Sequence, residues 1–348
     1  MAVNRVKNRI DWIDVMRAAA ILLVLLSHYD GGKLSVLANR ACVQTFFFIS
    51  GMFAFSSKYS LKSYVKKQAE TLLLPYGIFA VVNIAFYWLF NRDTPISQLA
   101  LFAKNFLFAK RNEVLVAAMW FLPCLFFASI LYKAIAMLLK KQKYIFPLCF
   151  VISAVFKIWF ESPVYIFSIN QGLKYLVYIA LGGVMYPYLK RIKRAWHKLP
   201  KSYHIAVILF FAVDCAYIWR MYVKGYVFWP KSVVMLSAVY FLNVVMCIIF
   251  IMTVSILLEK VKPLVWIGRH TLGFCCLESI NRALFNTAMA IVGIGFVPNS
   301  EIKALVHAVI SVCIGSVIVS VLDKICPIVL GKRKNKRHRQ RHTEIKRT

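Results

Sequence analysis

Apolar runs of about twenty residues, the length that a helix needs to cross a bilayer, recur along almost the whole 348-residue chain. Hydrophobic residues make up 61% of the sequence and charged residues only 16%, whereas soluble domains are roughly half apolar. The mean hydropathy of +0.68 agrees with this balance. We therefore predict an all-α, polytopic integral membrane protein built as a helical bundle.

The apolar runs define ten candidate transmembrane helices. The second run is short, and the ninth is diluted by Arg269, His270 and Glu278. We expect one transmembrane domain over residues 1–331, followed by a disordered basic tail at 332–348. The ten runs lie near 14–30, 41–56, 71–90, 115–139, 144–160, 172–189, 203–222, 233–258, 264–281 and 303–330.

The distribution of lysine and arginine predicts the topology. These residues number 44 against 13 acids, which gives a net charge of +31, and they are densest in alternate connections and in the tail. Because cytoplasmic segments of membrane proteins carry the positive residues, both termini are predicted to be cytoplasmic. A surplus of this size can indicate nucleic-acid binding, but its position between apolar runs favours contact with anionic lipid. We expect the lipid bilayer as a partner and no nucleic acid.

The nine cysteines are odd in number and lie mostly inside apolar runs. The sequence contains no paired Cys-x-x-Cys motif and no His, Asp or Glu spacing that is typical of a metal site. The cysteines are therefore interpreted as small buried hydrophobic residues, and no metal ion is expected.

The first apolar run carries ionisable side chains at both of its ends. Asp14 and Arg17 are one helical turn apart, and His28 lies eleven residues after Arg17, about 16 Å along a helix and close to the same face. An ionisable group at membrane depth is costly and usually functional. This arrangement favours a helix with a catalytic role. The alternative is an interfacial ion pair with a histidine that reaches the outer headgroups.

Five short motifs, in this order, extend the pattern beyond the first run. Together they resemble the acyltransferase 3 family of membrane acyltransferases, and the resemblance covers most of the chain. The motifs are D-V-M-R at 14–17 with S-H at 27–28, F-F-F-I-S-G at 46–51, L-P-Y at 74–76, W-F-L at 120–122 and G-R-H-T-L-G at 268–273.

The resemblance implies a ten-helix core in the bacterial inner membrane that O-acylates, usually O-acetylates, sugars of cell-envelope glycans. The acyl donor would be a cytoplasmic acyl-CoA, with acetyl-CoA as co-substrate and no bound cofactor. The acceptor would be a polysaccharide or its lipid-linked precursor. His28 matches the histidine that acts as catalytic base or acyl relay, and Arg17 matches the arginine near the donor.

Elementary chemistry supports these roles. A neutral imidazole, with an ordinary pKa near 6.5, can remove the proton of a sugar hydroxyl during attack on a thioester. A guanidinium suits phosphates or amide carbonyls of the donor. We predict a donor-binding set of Asp14, Arg17, Lys66 and Lys67.

Glu278 stands where members of the family usually have a histidine. A carboxylate inside a helical bundle needs a partner, and the candidates are His28, Arg269 and Arg282. One hypothesis is that Glu278 faces His28 and fixes its tautomer, which would make Glu278 a second catalytic residue. The alternative is a structural pair with Arg282, four residues further along the same helix.

The remaining candidates belong to a substrate pocket. Ser50, beside Gly51, is not part of a nucleophile elbow, and a close helix contact is the favoured explanation of this small pair. The aromatic residues are interpreted as packing or interfacial side chains that are able to stack on a sugar ring. The candidate pocket residues are Asp30, Ser50, Tyr76, Trp120, Arg269 and Arg282.

A transporter or flippase for an envelope glycan or small solute is the competing interpretation, because many helical bundles of this size are transporters. Such proteins commonly show two related halves, and no internal duplication is found in this sequence. A catalytically inactive member of the family is the other alternative. The sequence does not identify the glycan, its acylated hydroxyl or the length of the acyl group.

Overall fold

A computed structural model of the protein describes residues 10–28, 32–55, 59–111, 115–160, 166–224, 232–291 and 300–332. Within these ranges the regular structure is entirely helical, as predicted. The α-helices are α1 Asp11–Ser27, α2 Gly32–Ala38, α3 Cys42–Ala54, α4 Leu61–Gln68, α5 Leu74–Phe90, α6 Ile96–Phe108, α7 Phe121–Leu139, α8 Gln142–Trp159, α9 Ile169–Lys174, α10 Leu176–Met185, α11 Leu189–Lys198, α12 Lys201–Lys224, α13 Val233–Leu257, α14 Lys262–Arg269, α15 Thr271–Cys276, α16 Glu278–Ile291 and α17 Ser300–Ile325.

Six helical segments in the described ranges are long and apolar enough to cross a membrane, so the protein is a multi-pass membrane protein. A seventh is added if α11 and α12, which meet at a bend of 102°, form one broken span. The predicted count of ten is not confirmed. The six segments are Leu34–Ala54, Leu61–Phe90, Phe121–Leu139, Gln142–Trp159, Val234–Leu257 and Glu301–Ile325.

Three predicted spans are shorter or more broken than their hydropathy indicates. α1 has 17 residues. The predicted span at 172–189 contains only the ten residues of α10 as a regular apolar helix, which ends before a 3₁₀ turn that includes Pro187. The predicted span at 264–281 is divided among α14, α15 and α16, with breaks beside the charged Arg269 and Glu278. Irregular backbone of this kind is tolerated in a membrane where protein surrounds it.

Two glycines allow α3 and α10 to lie against each other. A Cβ atom at Gly51 would come within 1.8 Å of the carbonyl oxygen of Ile179, and one at Gly182 within 1.9 Å of that of Phe48. Small residues let transmembrane helices approach until their backbones touch. This contact agrees with the interpretation of Ser50 and Gly51 as a packing pair.

α1 is the central helix of the bundle. It packs against α2 and α3, which follow it in the sequence, and against four helices from the last third of the chain, namely α13, α14, α15 and α17. Ten of its seventeen residues are buried, including the charged Asp14. The ionisable groups of the first helix are therefore surrounded by protein along most of its length.

Candidate active site

The start of α1 is joined to α14 by an ionic cluster that is centred on the buried Asp14. Asp14 is 1% exposed and accepts hydrogen bonds from Arg17 Nη1 at 2.8 Å and from Arg269 Nε at 3.1 Å. The second nitrogen of the Arg269 fork, Nη2, donates to Asp11 at 2.9 Å. Asp14 thus fixes two guanidinium groups, one from each end of the sequence.

Gly268 makes this cluster sterically feasible. A Cβ atom at Gly268 would lie 1.7 Å from the carbonyl oxygen of Asp14, so the backbones of α1 and α14 touch at this point. Arg269 follows directly, which brings its side chain to the Asp14 carboxylate. The motif at 268–273 therefore acts as a docking point for the first helix.

Arg17 is held by two neighbours and remains partly accessible. Its side chain is 27% exposed, and its guanidinium carbon lies 5.5 Å above the centroid of the Phe53 ring, a cation–π contact. The predicted pairing of Asp14 with Arg17 on one helix face is present.

His28 caps the C-terminal end of α1. Its Nδ1 lies 2.8 Å from the carbonyl oxygen of Val24, one turn earlier, and 3.4 Å from the Ser27 hydroxyl. A carbonyl oxygen can only accept, so Nδ1 carries the proton and the Nε2 of a neutral ring has a free lone pair. No described residue hydrogen bonds to Nε2. The backbone of α1 therefore selects the tautomer that a general base requires.

Glu278 contacts the guanidinium of its neighbour on α16. Its carboxylate is completely buried and pairs with Arg282, with 3.7 Å between Oε1 and Nε. Arg282 Nη1 in turn donates to the backbone carbonyl of His28 at 3.2 Å. The pair of Glu278 and Arg282, one turn apart on α16, is therefore present, and the orienting role of Glu278 towards His28 stays a prediction.

Replacing Arg282 with glutamine is expected to reduce the free energy of unfolding by about 3–5 kcal/mol, since it leaves the Glu278 carboxylate buried without its partner. The double variant Glu278→Gln/Arg282→Gln should recover part of this loss. Thermal unfolding in detergent measures both, with Arg92→Gln, an arginine above the exposed Trp88 ring, as the control. Equal unfolding temperatures for Arg282→Gln and the unmodified protein would contradict the pairing.

Two cavities lie at opposite ends of α13. The residues that follow α13 line one cavity, and the first turns of α13 line the other. Leu242 of one wall and Glu259 of the other are about 25 Å apart along the helix direction, at a rise of roughly 1.5 Å per residue. α1 begins at the first cavity, where Asp11 and Trp12 form part of the wall, and runs towards the other end. His28 lines neither cavity.

The first cavity, here called the basic cavity, has a volume of about 1100 Å³ and is formed by the start of α1, by α11 and by α14 with the turn before it. Two of its cations are paired, Arg269 with Asp11 and Lys193 with Glu259. No described acid pairs with the others. These unpaired cations are Arg194, Lys260 and Lys262.

The second cavity, here called the aromatic cavity, has a volume of about 640 Å³. It is lined by the start of α3, by α8 to α10, by the start of α13 and by the segment before α7. Trp120 belongs to its wall, and its role as a substrate pocket residue stays a prediction. The Ser27 side chain interacts with Cys42, whose chain neighbours Val43 and Gln44 line this cavity. His28 therefore lies at the aromatic end of the bundle.

A family model described as an acyltransferase domain, acyltransferase 3, matches residues 10–322, nearly the whole chain. The chain belongs to the acyltransferase 3 family. No curated protein and no solved structure matches it. The resemblance found in the five motifs is therefore confirmed, and this acyltransferase 3 member is a membrane protein with an acyltransferase domain.

The other predicted site residues of this acyltransferase 3 chain are dispersed. Lys66 is exposed, and Lys67 lies above the Tyr59 ring; neither lines the basic cavity. Tyr76 is buried and donates to the carbonyl oxygen of Phe106 at 2.6 Å, so its hydroxyl is used to fix α6 against α5. Asp30 lies outside the described residues, as does the tail after Lys332.

Ser50 is half-buried, and no described histidine or carboxylate hydrogen bonds to it. An acyltransferase of this family that used a serine nucleophile would need such a base next to the hydroxyl. In the part of the chain that the structure describes, no three His, Cys, Asp or Glu side chains come together as metal ligands.

Sequence reasoning did not identify the basic cavity. Its lysines and arginines were visible as charges in two separate inner connections, around 190–201 and 260–262. Only the fold brings these connections together beside the start of α1. The high density of lysines and arginines around α11 is the sequence signal that could have predicted a basic cavity, in addition to the membrane topology.

Proposed function

We propose that this acyltransferase moves an acetyl group from acetyl-CoA to a hydroxyl of a cell-envelope polysaccharide or its lipid-linked precursor, with His28 as the general base. The observation that carries the proposal is the hydrogen bond from His28 Nδ1 to the Val24 carbonyl. It leaves the Nε2 lone pair available for the proton of the attacking hydroxyl. Family membership supports acyl transfer as the reaction.

In the proposed reaction the acceptor hydroxyl transfers its proton to His28 Nε2 while its oxygen attacks the thioester carbonyl. The carbon–oxygen bond forms, the carbon–sulfur bond breaks, and the imidazolium returns the proton to the departing thiolate of CoA. Proton transfer to a positioned imidazole contributes about 10²- to 10⁴-fold to reactions of this type. The Arg282 bond to the His28 carbonyl keeps this end of α1 in place.

The basic cavity is the proposed site for the nucleotide end of the donor. Coenzyme A carries phosphates at its adenosine end, and unpaired lysines and arginines bind phosphate through charge-assisted hydrogen bonds. The cavity lies where α1 begins, and a cytoplasmic N-terminus would place it on the side where acyl-CoA is available. Arg17, whose guanidinium is partly exposed, lies between this cavity and His28 along α1.

Changing Lys260 and Lys262 together to glutamine is expected to raise the KM for acetyl-CoA about tenfold, the effect of losing roughly 1.4 kcal/mol of phosphate binding, with kcat almost unchanged. Labelled acetate transferred from acetyl-CoA to envelope glycan in proteoliposomes is the measurement. With acetyl-3′-dephospho-CoA as the donor, the KM should differ less between the variant and the unmodified protein, because this donor lacks one phosphate.

Lys141→Gln/Lys143→Gln is the matched control. It removes the same amount of charge, and the two lysines line neither cavity. Lys66→Gln/Lys67→Gln tests the donor site predicted from the sequence in the same assay. A raised KM in that variant and an unchanged KM in the Lys260 and Lys262 variant would move the donor site to α4. Absence of labelled glycan with the unmodified protein would refute the proposed function itself.

A further inference from the structure

The aromatic cavity has a consistent chemical character. Its volume of about 640 Å³ lies within the range of cavities that bind small ligands, roughly 300–1,000 Å³. Flat rings cover much of its wall, from Trp120 and from Tyr175, Tyr178 and Tyr240. Aromatic faces of this kind pack against the apolar face of a sugar ring while their polar edges hydrogen bond. The wall therefore suits a carbohydrate.

The charged residues of the wall all have the same sign. Arg111, Lys157 and Lys174 line the cavity, and none of the described lining residues is an acid. In a cleft with low-dielectric walls such charges produce a concentrated positive potential. A ligand with a negative group would be attracted, and a cationic one would be repelled.

Arg111 is positioned by one of the aromatic rings. Its guanidinium carbon lies 4.8 Å from the centroid of the Trp120 ring. This cation–π contact keeps the charge next to a ring surface. A ligand that stacks on the aromatic wall would therefore place an attached anionic group near the guanidinium.

Gln44 places in the wall of this cavity a buried polar atom without a hydrogen-bond partner among the described residues. Its side chain is 2% exposed and lines the cavity. Its Nε2 donates to the Tyr240 hydroxyl at 2.7 Å, but its Oε1 has no hydrogen-bond partner in the part of the chain that the structure describes. A buried polar atom without a partner costs about 1–3 kcal/mol. A ligand hydroxyl would remove this cost.

We propose that the aromatic cavity binds an acidic sugar of the acceptor glycan, with the anionic group held by Arg111 and a ring hydroxyl donating to Gln44. Lys157 and Lys174 add to the positive charge of the wall. The inference rests on the proposed transfer to a glycan and adds a substrate class to it. The shared chemistry is a negative group on a hydroxylated ring, either a carboxylate or a phosphate.

Isothermal titration of the full-length protein in nanodiscs, without acetyl-CoA, tests the inference. The probes are an oligosaccharide of alternating glucuronic acid and N-acetylglucosamine, the same oligosaccharide with its carboxyl groups reduced to alcohols, and glucose 1-phosphate. The acidic oligosaccharide is expected to bind at least about tenfold more tightly than the reduced one, and its affinity should fall as salt is added. Tighter binding of glucose 1-phosphate than of the uronate would identify phosphate as the preferred group.

The variant Lys157→Gln/Lys174→Gln should reduce the affinity ratio of acidic to reduced oligosaccharide to about twofold or less while the reduced oligosaccharide binds as before. Should this variant fail to fold, Arg111→Gln, which lies outside the helices, serves instead. Equal affinities of the unmodified protein for the acidic and reduced probes, or no binding of either, would overturn the inference.

Binding and transfer are separate measurements. Binding of the acidic probe without acetyl transfer would support the cavity assignment and refute the proposed reaction. Acetyl transfer to neutral glycans, with no preference for acidic ones in the titration, would refute the cavity assignment and leave the reaction standing.

Discussion

An alanine at position 28 is expected to lower kcat for acetyl transfer by about 10²- to 10⁴-fold, the usual contribution of a positioned general base. The reason is the loss of Nε2, whose lone pair is made available by the Nδ1 bond to Val24. The KM for acetyl-CoA should change little, because the basic cavity lies at the other end of α1. Labelled acetate incorporation into glycan measures the effect.

Thermal unfolding separates this loss from misfolding. His28 is half-buried, and the side-chain hydrogen bonds described for it stay within the last turn of α1, so its replacement should leave the unfolding temperature nearly unchanged. His204→Ala is the control, because this histidine hydrogen bonds to Trp196 far from α1 in the sequence. A folded His28→Ala protein that acetylates glycan at the full rate would end the assignment of His28 as the base.

Replacing Gly268 with alanine is expected to reduce the free energy of unfolding by about 3 kcal/mol, at the upper end for overpacking. The added Cβ atom would lie 1.7 Å from the Asp14 carbonyl oxygen, and a backbone atom inside two packed helices has little room to move. α1 and α14 must separate, which also pulls Arg269 away from Asp14. Thermal unfolding in detergent and the yield of folded protein measure this effect.

Gly77→Ala is the matched control for Gly268→Ala. No atom of a neighbour lies within 4 Å of the Cβ position at Gly77, and alanine is favoured over glycine inside a helix by up to about 1 kcal/mol. The same substitution should therefore stabilise the protein slightly at residue 77 and damage it at residue 268. Similar stability of the two variants would show that α1 and α14 do not touch as described.

The sequence predicted the features that depend on local spacing. The first helix, its Asp14–Arg17 pair and its terminal histidine follow from residues within two or three turns of one another. The family resemblance was also readable, because each motif is short and their order is linear. Apolar runs predicted most helices, but they did not show where a run such as 264–281 divides into three short helices.

The features that escaped prediction depend on distant pairing. Arg269 was a candidate partner of Glu278, whereas its bonds to Asp14 and Asp11 require a backbone contact across 255 residues. Glu278 and Arg282 pair locally, and the predicted role of Glu278 in orienting His28 stays a prediction. The basic cavity combines three separated segments, so no single stretch of sequence displays it.

The position of α1 at the centre of the bundle has a consequence for biosynthesis. α1 is synthesised before the other described helices, whereas α14, which supplies Arg269 to Asp14, is made some 250 residues later. During most of translation the Asp14 carboxylate therefore lacks its bond to Arg269. Closure of the bundle must therefore wait for the last third of the chain, and nascent chains truncated before α14 should be the preferred targets of membrane quality-control proteases.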